Sequence, residues 1–240
     1  MGYVLEIASN SVASALAAQR GGADRIELFD NLAEGGTTPS FGSIALAREQ
    51  LQIPLFVLIR PRPGDFHYDA LERELMLRDI QQCRALGCDG VVIGAMDAEG
   101  NVDVPLCREL VQAAGPMQVT FHRAFDAARD LSAALEDVIS LGCQRVLSSG
   151  GHASAEAGAG VLAALVNRAA GRISVMAGAG ITPGNIAAVA KATGCNELHA
   201  SAKGTRRSDV RFQNPALVGL SPDWVATDAD EVAALRAALA

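Results

Sequence analysis

The feature that most constrains the fold is a strict alternation of short apolar segments with longer amphipathic segments. The apolar segments predict eight strands, with the sequences YVLEIAS, RIELFD, PLFVLIRPR, GVVIGAM, QVTFHRAFD, RVLSSGG, ISVMAGAG and ELHASA. The segments between them predict helices, most of which end in the glycine that is typical just past a helix C-terminus. This alternation in 240 residues predicts an α/β fold, a single-domain (β/α)₈ TIM barrel over residues 1–240. A doubly wound open sheet is the alternative, although such sheets usually have fewer strands.

A weak internal repeat favours a closed barrel over the open sheet. The phrases GGADRIEL, LGCDGVVI, LGCQRVLS and TGCNELHA each combine a helix-ending glycine, a small residue, a polar residue and the start of a strand. They precede the second, fourth, sixth and eighth predicted strands. The repeat therefore indicates a two-strand unit that is used four times.

The five cysteines are predicted to be free thiols, because their number is odd and the chain is too large to need disulfides. Cys88, Cys143 and Cys195 occupy the small-residue position of the repeat, so we expect them at the bottom of the barrel and too far apart to share a metal ion. Cys83 and Cys107 lie in predicted helices, where a free thiol usually acts as a small apolar residue. The spacing of the cysteines argues against a thiolate metal site.

Polar residues interrupt the strands with a period of two. Glu6 and Glu27, for example, each lie between two aliphatic residues, and the helix-facing side of a strand must be apolar. The pattern therefore points one polar set into the barrel, namely Glu6, Glu27, Arg60, His122, His199 and Ser201. Barrel interiors are normally filled by branched apolar residues, and polar residues gather at the carboxyl ends of the strands when a site is built there.

Two kinds of site fit this polar set. Glu6 or Glu27 as a base, His122 as an acid or electrophile and Arg60 as an anion clamp form an acid–base site, to which His199 also belongs. Histidine and glutamate side chains also suit a metal ion. The structural alternative is that the two glutamates pair with Arg60 and that the histidines are hydrogen-bonded core residues.

The loop after the seventh predicted strand, AGAGITPGN, predicts a ligand site. Gly178 and Gly180 permit unusual backbone angles, and Thr182 with Pro183 predicts an N-cap and the first residue of a helix. Loops after strands 7 and 8 form the common phosphate site of this fold. We therefore expect Gly178 and Gly180 to contribute to substrate binding.

The segment after the eighth strand, SAKGTRRSD, adds polar groups at the same end of the barrel. Ser201 and Lys203 are predicted to bind substrate, and Arg206 and Arg207 add positive charge; a solvated basic run is the alternative. Residues 203–227 show little helical periodicity, which predicts a long irregular segment of the kind that covers a site or moves.

Charge and length limit the partners of the chain. The formal net charge of −7 and the isoelectric point near 5.1 leave no general attraction to nucleic acid or to an anionic membrane surface. The sequence contains neither a transmembrane-length apolar run nor a signal-peptide pattern, which predicts a cytoplasmic protein. Alanine-rich outer segments such as AEAGAGVLAALVNRAAG predict a homodimer or larger homo-oligomer. The expected ligand is a small anionic molecule or a metal ion.

Several runs of the sequence together resemble the CutC copper homeostasis family. They are LEIASNSVASALAAQRGGADRIEL, EGGTTPSFG, VLIRPRPGDFHYD, VTFHRAFD, RVLSSGG, MAGAGITPGN and ELHASA, and they extend from Leu5 to about Ser208. The resemblance implies a (β/α)₈ barrel, a cytoplasmic location and a role in copper homeostasis and copper binding. The alternative function is that of a barrel enzyme, an isomerase, lyase or hydrolase, acting on a small phosphorylated or otherwise anionic metabolite. Copper(I) prefers thiolate and thioether ligands, and the softer groups expected near the strand ends are Met96 and Met176, beside His122 and His199.

Overall fold

Eight parallel strands form a closed barrel in the computed structural model, which describes residues 2–214, 216, 219 and 221–240. The strands are β1 (Val4–Ser9), β2 (Arg25–Leu28), β3 (Leu55–Leu58), β4 (Gly90–Ile93), β5 (Gln118–Phe121), β6 (Arg145–Ser148), β7 (Ser174–Gly178) and β8 (Glu197–Ala200). Each strand pairs with the next, and β1 pairs with β8, where Glu6 lies opposite His199. The predicted (β/α)₈ fold is confirmed.

Eight α-helices accompany the strands in the described part of the chain. They are α1 (Val12–Arg20), α2 (Phe41–Gln50), α3 (Ala70–Ala85), α4 (Val104–Ala114), α5 (Leu131–Ser140), α6 (Ala159–Ala169), α7 (Ile186–Thr193) and α8 (Ala229–Ala238). Most begin at a serine or aspartate whose side chain accepts a hydrogen bond from the first turn, and α3 begins with a capping box of Asp69 and Glu72. Within the described ranges, no helix combines the length and apolar character that crossing a membrane requires.

The start of α7 differs from the prediction. We expected Thr182 as the N-cap and Pro183 as the first helical residue, but the helix begins at Ile186. The Asn185 side chain accepts a hydrogen bond from the backbone N–H of Thr182 and donates one to the carbonyl of Gly180. These bonds hold Thr182 and Pro183 in a turn before the helix.

The apolar residues of the strands and of their ends divide into two cores. Those that face the helices are fully buried, as Leu5, Ile26 and Leu198 illustrate. A smaller cluster is separate from this core and consists of Phe29, Phe56, Leu58 and Val92. It occupies positions that alternate with the outward residues of β2, β3 and β4, so it fills part of the barrel interior.

An ionic network occupies the amino-terminal end of the barrel interior. Arg25 forms salt bridges with Glu6 and Glu197, and Arg145 also pairs with Glu197. The guanidinium groups of Arg25 and Arg145 lie 5.1 and 5.0 Å from the centre of the Phe56 ring. Because charged groups and an aromatic ring close this end, the opposite end is left for a ligand.

The segment after β8 is more regular than predicted for residues 203–227. Its ends form an antiparallel pair, β9 (Lys203–Arg206) and β10 (Trp224–Thr227), in which Lys203 lies opposite Thr227. Positions 215, 217, 218 and 220 of the predicted irregular segment lie outside the described residues. Neither strand shows a clear alternation of apolar and polar residues, because most of this pair is exposed on both faces.

Candidate active site at the mouth of the barrel

The carboxyl ends of the strands open into a cavity of about 850 Å³. This volume lies within the usual range for small-molecule sites, roughly 300 to 1,000 Å³. Most of the predicted site residues line it, namely Glu27, Arg60, His122, Gly180, His199, Ser201 and Lys203. Glu6 and Gly178 are not in its lining: Glu6 lies deeper in the barrel and Gly178 is the last residue of β7.

Glu6 is a fully buried carboxylate that touches two cationic partners. It accepts hydrogen bonds from Arg25 and from Nδ1 of His199, the latter at 2.7 Å. Burial alone would raise the pKa of Glu6, but the charge of Arg25 and the bond from His199 outweigh burial and lower the pKa to about 2. Glu6 is therefore ionised at neutral pH, which suits it to hold His199 in place.

The pKa of Glu27 is shifted in the opposite direction from that of Glu6. Its side chain is 8% exposed and lies 3.4 Å from Nε2 of His199. Burial raises the pKa of Glu27 to about 7; His199 opposes this shift, and the negative charge of Glu6 adds to it. Glu27 can therefore both accept and return a proton near neutral pH, and of the two candidate bases it fits the role better.

His199 bridges the two carboxylates with its two ring nitrogens. Burial by itself would lower the pKa of His199, but the hydrogen bond with Glu6 and the charges of Glu27 and Glu6 raise it above its usual value. The imidazolium form is therefore favoured. The positive charge of His199 lies between two carboxyl groups, at the position that a bound metal ion would occupy.

The same three side chains offer donor atoms that lie within 4.8 Å of one another. Such a set suits a borderline ion such as Cu²⁺ or Zn²⁺ better than Cu⁺, because its donors are oxygen and nitrogen. Arg25, through its salt bridge with Glu6, and the imidazolium of His199 already place positive charge beside the two carboxyl groups. A metal ion bound there would therefore have to displace the proton of His199.

The thiols do not fit a copper(I) site at the mouth. All five cysteines are free and buried, as predicted, and none lines the cavity. Burial raises the pKa of Cys107 and Cys143 to about 12, which keeps both thiols protonated at neutral pH. The sulfur of Met176 accepts a hydrogen bond of 3.3 Å from Arg25, below the mouth. Neither Met176 nor Met96 lines the cavity, so the softer ligands are separated from it.

His122 presents an unpaired hydrogen-bond donor. Its Nδ1 accepts a bond of 3.0 Å from the backbone N–H of Ala124, whereas its Nε2 is buried without a partner. Burial and the nearby charge of Arg60 lower the pKa of His122 to about 3. The ring is therefore neutral, and since Nδ1 accepts, the proton is on Nε2. Gly94 makes room for this ring, because a Cβ there would lie 2.5 Å from Cε1 of His122.

Arg60 is a buried cation without a carboxylate partner among the described residues. Its terminal nitrogens donate to the carbonyl oxygens of Glu34, Gly36 and Gly64 at 2.8 to 2.9 Å, and its Nε has no partner. The structural alternative, in which Glu6 and Glu27 pair with Arg60, is therefore wrong. Arg25 lies at the same level of the barrel as Glu6, directly opposite it in the β1–β2 register, and takes that role.

The loop after β7 lines the cavity, but its unusual backbone angles are not at Gly178. Ala179 and Gly180 have φ of 77° and 71°, whereas Gly178 does not have a positive φ. A Cβ at Gly178 would come within 2.6 Å of the Leu147 side chain, so close packing explains that glycine. Ser201 and the exposed Lys203 line the cavity, and Arg206 and Arg207 do not.

Two further sets of polar residues in the barrel were not predicted from the sequence. Arg123 lines the cavity and donates to Asp126 and to the Ser149 hydroxyl. Its position directly after His122 in the polar run VTFHRAFD was the available signal. Arg25, Arg145 and Glu197 were also missed, although each occupies an inward position of its strand by the same alternation that identified Glu27 and His199.

A closed (β/α)₈ barrel with acidic, basic and imidazole groups at its carboxyl end defines a barrel protein with a candidate small-molecule site at its mouth. The family model that matches residues 3–204 is described as the CutC family. The chain belongs to the CutC family.

Individual relatives agree with this assignment. A family protein CutC of Chromobacterium violaceum is 54% identical over 245 residues, covering 100% of this chain and 99% of the relative. A family protein CutC of Xanthomonas campestris is 54% identical over 228 residues, covering 95% of each chain. Among solved structures, a candidate copper homeostasis protein CutC of Streptococcus agalactiae has a TM-score of 0.80 and 31% identity, covering 83% of this chain and 98% of that one.

Proposed function

We propose that this member of the CutC family is an enzyme that moves a proton between carbon atoms of a small anionic metabolite. The observation that carries the proposal is the opposite displacement of two pKa values at one cavity, that of Glu27 to about 7 and that of His122 to about 3. Pairs of groups whose environments separate their pKa values in this way are typical of acid–base sites.

The roles follow from the protonation states. Glu27 removes a proton from a carbon next to a carbonyl group, and the electron pair of that C–H bond moves toward the carbonyl oxygen. The neutral Nε2–H of His122 donates a hydrogen bond to the oxygen on which negative charge develops. Where the first carbon also carries a hydroxyl group, the hydroxyl proton passes to the former carbonyl oxygen and Glu27 returns its proton to the former carbonyl carbon. The carbonyl and hydroxyl groups then exchange places, which completes an isomerisation.

Isomerisation fits the residues better than chemistry through a Schiff base. A Schiff base requires a lysine with its nitrogen at the reacting carbon. The sequence contains two lysines, Lys191 and Lys203. Lys191 is exposed on α7 and Lys203 is exposed at the rim, so neither shares the buried position of Glu27.

The preference for an anion rests on Arg60, whose buried charge lacks a carboxylate partner among the described residues. A bound anion would supply the missing negative charge. The Gly180 loop, Ser201 and Lys203 are proposed to contact the outer part of the substrate, as a phosphate-binding loop if the substrate is phosphorylated.

Proton exchange with solvent tests the proposal across a panel of candidate substrates. The protein is incubated in D₂O with small anionic carbonyl compounds, and loss of C–H signals next to the carbonyl is followed by proton NMR. We expect at least one compound to exchange more than about tenfold faster than in buffer, and the Glu27→Gln variant to lose this acceleration. The control is Glu49→Gln, a change at an exposed glutamate of α2. Equal exchange with parent and Glu27→Gln would contradict the proposal.

Metal binding is the second candidate function, and the close approach of Glu6, Glu27 and His199 favours it. The name of the Streptococcus agalactiae relative connects this family with copper. We expect Cu²⁺ or Zn²⁺ to bind more tightly than Cu⁺ if this candidate is correct, because of the oxygen and nitrogen donors. Calorimetric titration of the parent and of His199→Gln tests it. Identical titrations for the two proteins would exclude these residues as ligands. A cytoplasmic location remains a prediction for either function.

A further inference from the structure

Three buried side-chain polar atoms lack a hydrogen-bond partner in the described part of the chain, and they come from one side of the barrel. They are Nε of Arg60, Nε2 of His122 and the hydroxyl of Tyr68. The residues Arg60 and His122 follow β3 and β5, and both line the cavity. Buried donors are almost always satisfied in folded proteins. Two unpaired donors on residues that line one cavity therefore point to a ligand that supplies acceptors. The Tyr68 hydroxyl lies outside that lining and near Arg60: burial raises the pKa of Tyr68, and the charge of Arg60 opposes that rise.

Phe66 packs against both Arg60 and His122. The guanidinium carbon of Arg60 lies 5.1 Å from the centre of the Phe66 ring, and the centre of the His122 ring lies 5.1 Å from the same point. Arg60 and His122 thus flank one aromatic ring. Because both residues also line the same cavity, one bound molecule can contact both of them.

The two donors select different acceptors. Arg60 carries a full positive charge and prefers an ionised oxygen. His122 is neutral and donates through Nε2–H, which suits a carbonyl oxygen that gains negative charge during reaction. The preferred ligand therefore has a charged and an uncharged oxygen group side by side.

A monoanion fits better than a phosphate dianion at this end of the cavity. Three carbonyl oxygens, those of Glu34, Gly36 and Gly64, already surround the terminal nitrogens of Arg60. These oxygens repel additional negative charge, and Nε is the Arg60 nitrogen left without a partner. A phosphate dianion requires more donors than this.

We propose that the substrate is a 2-oxo carboxylate, with its carboxylate bound by Arg60 and its carbonyl oxygen bound by His122. This inference rests on the proposed function, because Glu27 must remove the proton from the carbon on the other side of the carbonyl. The cavity of about 850 Å³ is larger than a three-carbon acid, and Leu58, Leu147 and Ile181 line it. The substrate therefore carries a longer tail with apolar contacts.

The reaction step balances without a further reactant. The carboxylate of Glu27 takes the proton, the C–H electron pair forms the carbon–carbon double bond of an enolate, and the carbonyl π electrons move to the oxygen, whose negative charge the Nε2–H of His122 stabilises by a hydrogen bond. In a substrate without a hydroxyl group on that carbon, the reverse step returns a proton from Glu27 to the same carbon. In D₂O the Glu27 carboxyl exchanges its proton with solvent through the cavity, so the returned atom is deuterium.

Three carbonyl compounds test the substrate class. They are 2-oxohexanoate, the uncharged ketone 2-hexanone and the phosphorylated ketone dihydroxyacetone phosphate, each incubated with the protein in D₂O and followed by NMR. We expect exchange in 2-oxohexanoate to be faster than in either of the others by at least about tenfold. Arg60→Met should remove this preference, and Glu49→Gln should keep it.

The outcomes separate the two proposals. Faster exchange in the phosphorylated or the uncharged ketone would overturn the 2-oxo carboxylate and leave proton transfer standing. Exchange in none of the three would overturn the substrate class, whereas the proposed function would then be decided by the wider panel of carbonyl compounds. If Arg60→Met does not fold, thermal protection of the parent replaces it: 2-oxohexanoate should raise the melting temperature and 2-hexanone should not. Equal protection by both would contradict the role of Arg60.

Discussion

Replacing Glu27 with glutamine should stabilise the protein at alkaline pH. The pKa of Glu27 is raised from 4.5 to about 7 in the folded protein, so between these values the folded state holds a proton that the unfolded state has lost. Stability therefore falls as the pH rises through this window, and the loss is complete above the folded pKa. A change of this size corresponds to about 3 kcal/mol. The side chain is 8% exposed, so solvent screening takes away little of it.

Urea unfolding of the parent and of Glu27→Gln at pH 5 and pH 8 measures this effect. We expect similar free energies of unfolding at pH 5 and a more stable variant at pH 8, by up to about 3 kcal/mol. The matched control is Glu6→Gln on the neighbouring strand. The pKa of Glu6 is lowered to about 2, so its removal leaves buried charge unpaired and should destabilise the protein by about 3 kcal/mol or more at both pH values.

The opposite signs of the two glutamate variants are the critical result. Catalytic groups are often kept at a cost in stability, whereas removal of one partner of a buried ion pair destabilises the protein. A Glu27→Gln protein that is less stable than the parent at pH 8 would show that Glu27 is a structural partner of His199. The assignment of Glu27 as the base would then be wrong.

Three further predictions concern other parts of the chain. His122→Gln should change the free energy of unfolding by no more than about 1 kcal/mol in urea, because an amide can both accept and donate, while slowing proton exchange; early unfolding of this variant would indicate a structural histidine. Replacing Cys88, Cys143 and Cys195 together with alanine should leave any copper affinity measured by calorimetry within a few-fold of the parent, and a loss of about a hundredfold would contradict the argument from buried thiols. Light scattering should report a homodimer or larger assembly, and a species of 24.8 kDa alone would refute this.

Strand periodicity was sufficient to predict the barrel and several of the polar residues that line the candidate site. Glu27, His122 and His199 were identified because each interrupts an apolar strand at an inward position. The sequence could not identify their partners, since these depend on the register between strands. Glu6 lies opposite Arg25 in the β1–β2 pair, and this register assigns the buried glutamate to Arg25 and leaves Arg60 unpaired.

Local hydrogen bonds explain the other differences. The turn before α7 depends on the Asn185 side chain, which bonds to Thr182 and Gly180 and competes with a helix start at Pro183. The pairing of β9 with β10 joins residues about twenty positions apart in a segment without clear periodicity. Neither feature has a distinct pattern in the sequence.

A direct measurement of the Glu27 pKa tests whether this carboxyl can transfer protons at neutral pH. The protein is labelled with carbon-13 at the glutamate side-chain carboxyls and titrated by NMR, and the Glu27→Gln variant assigns the resonance. We expect one carboxyl that titrates near pH 7 and is missing from the variant, because burial raises the pKa of Glu27. If the Glu27 resonance instead titrates near its ordinary value of 4.5, the carboxyl is not poised for proton transfer at neutral pH, and the proposed acid–base site is contradicted.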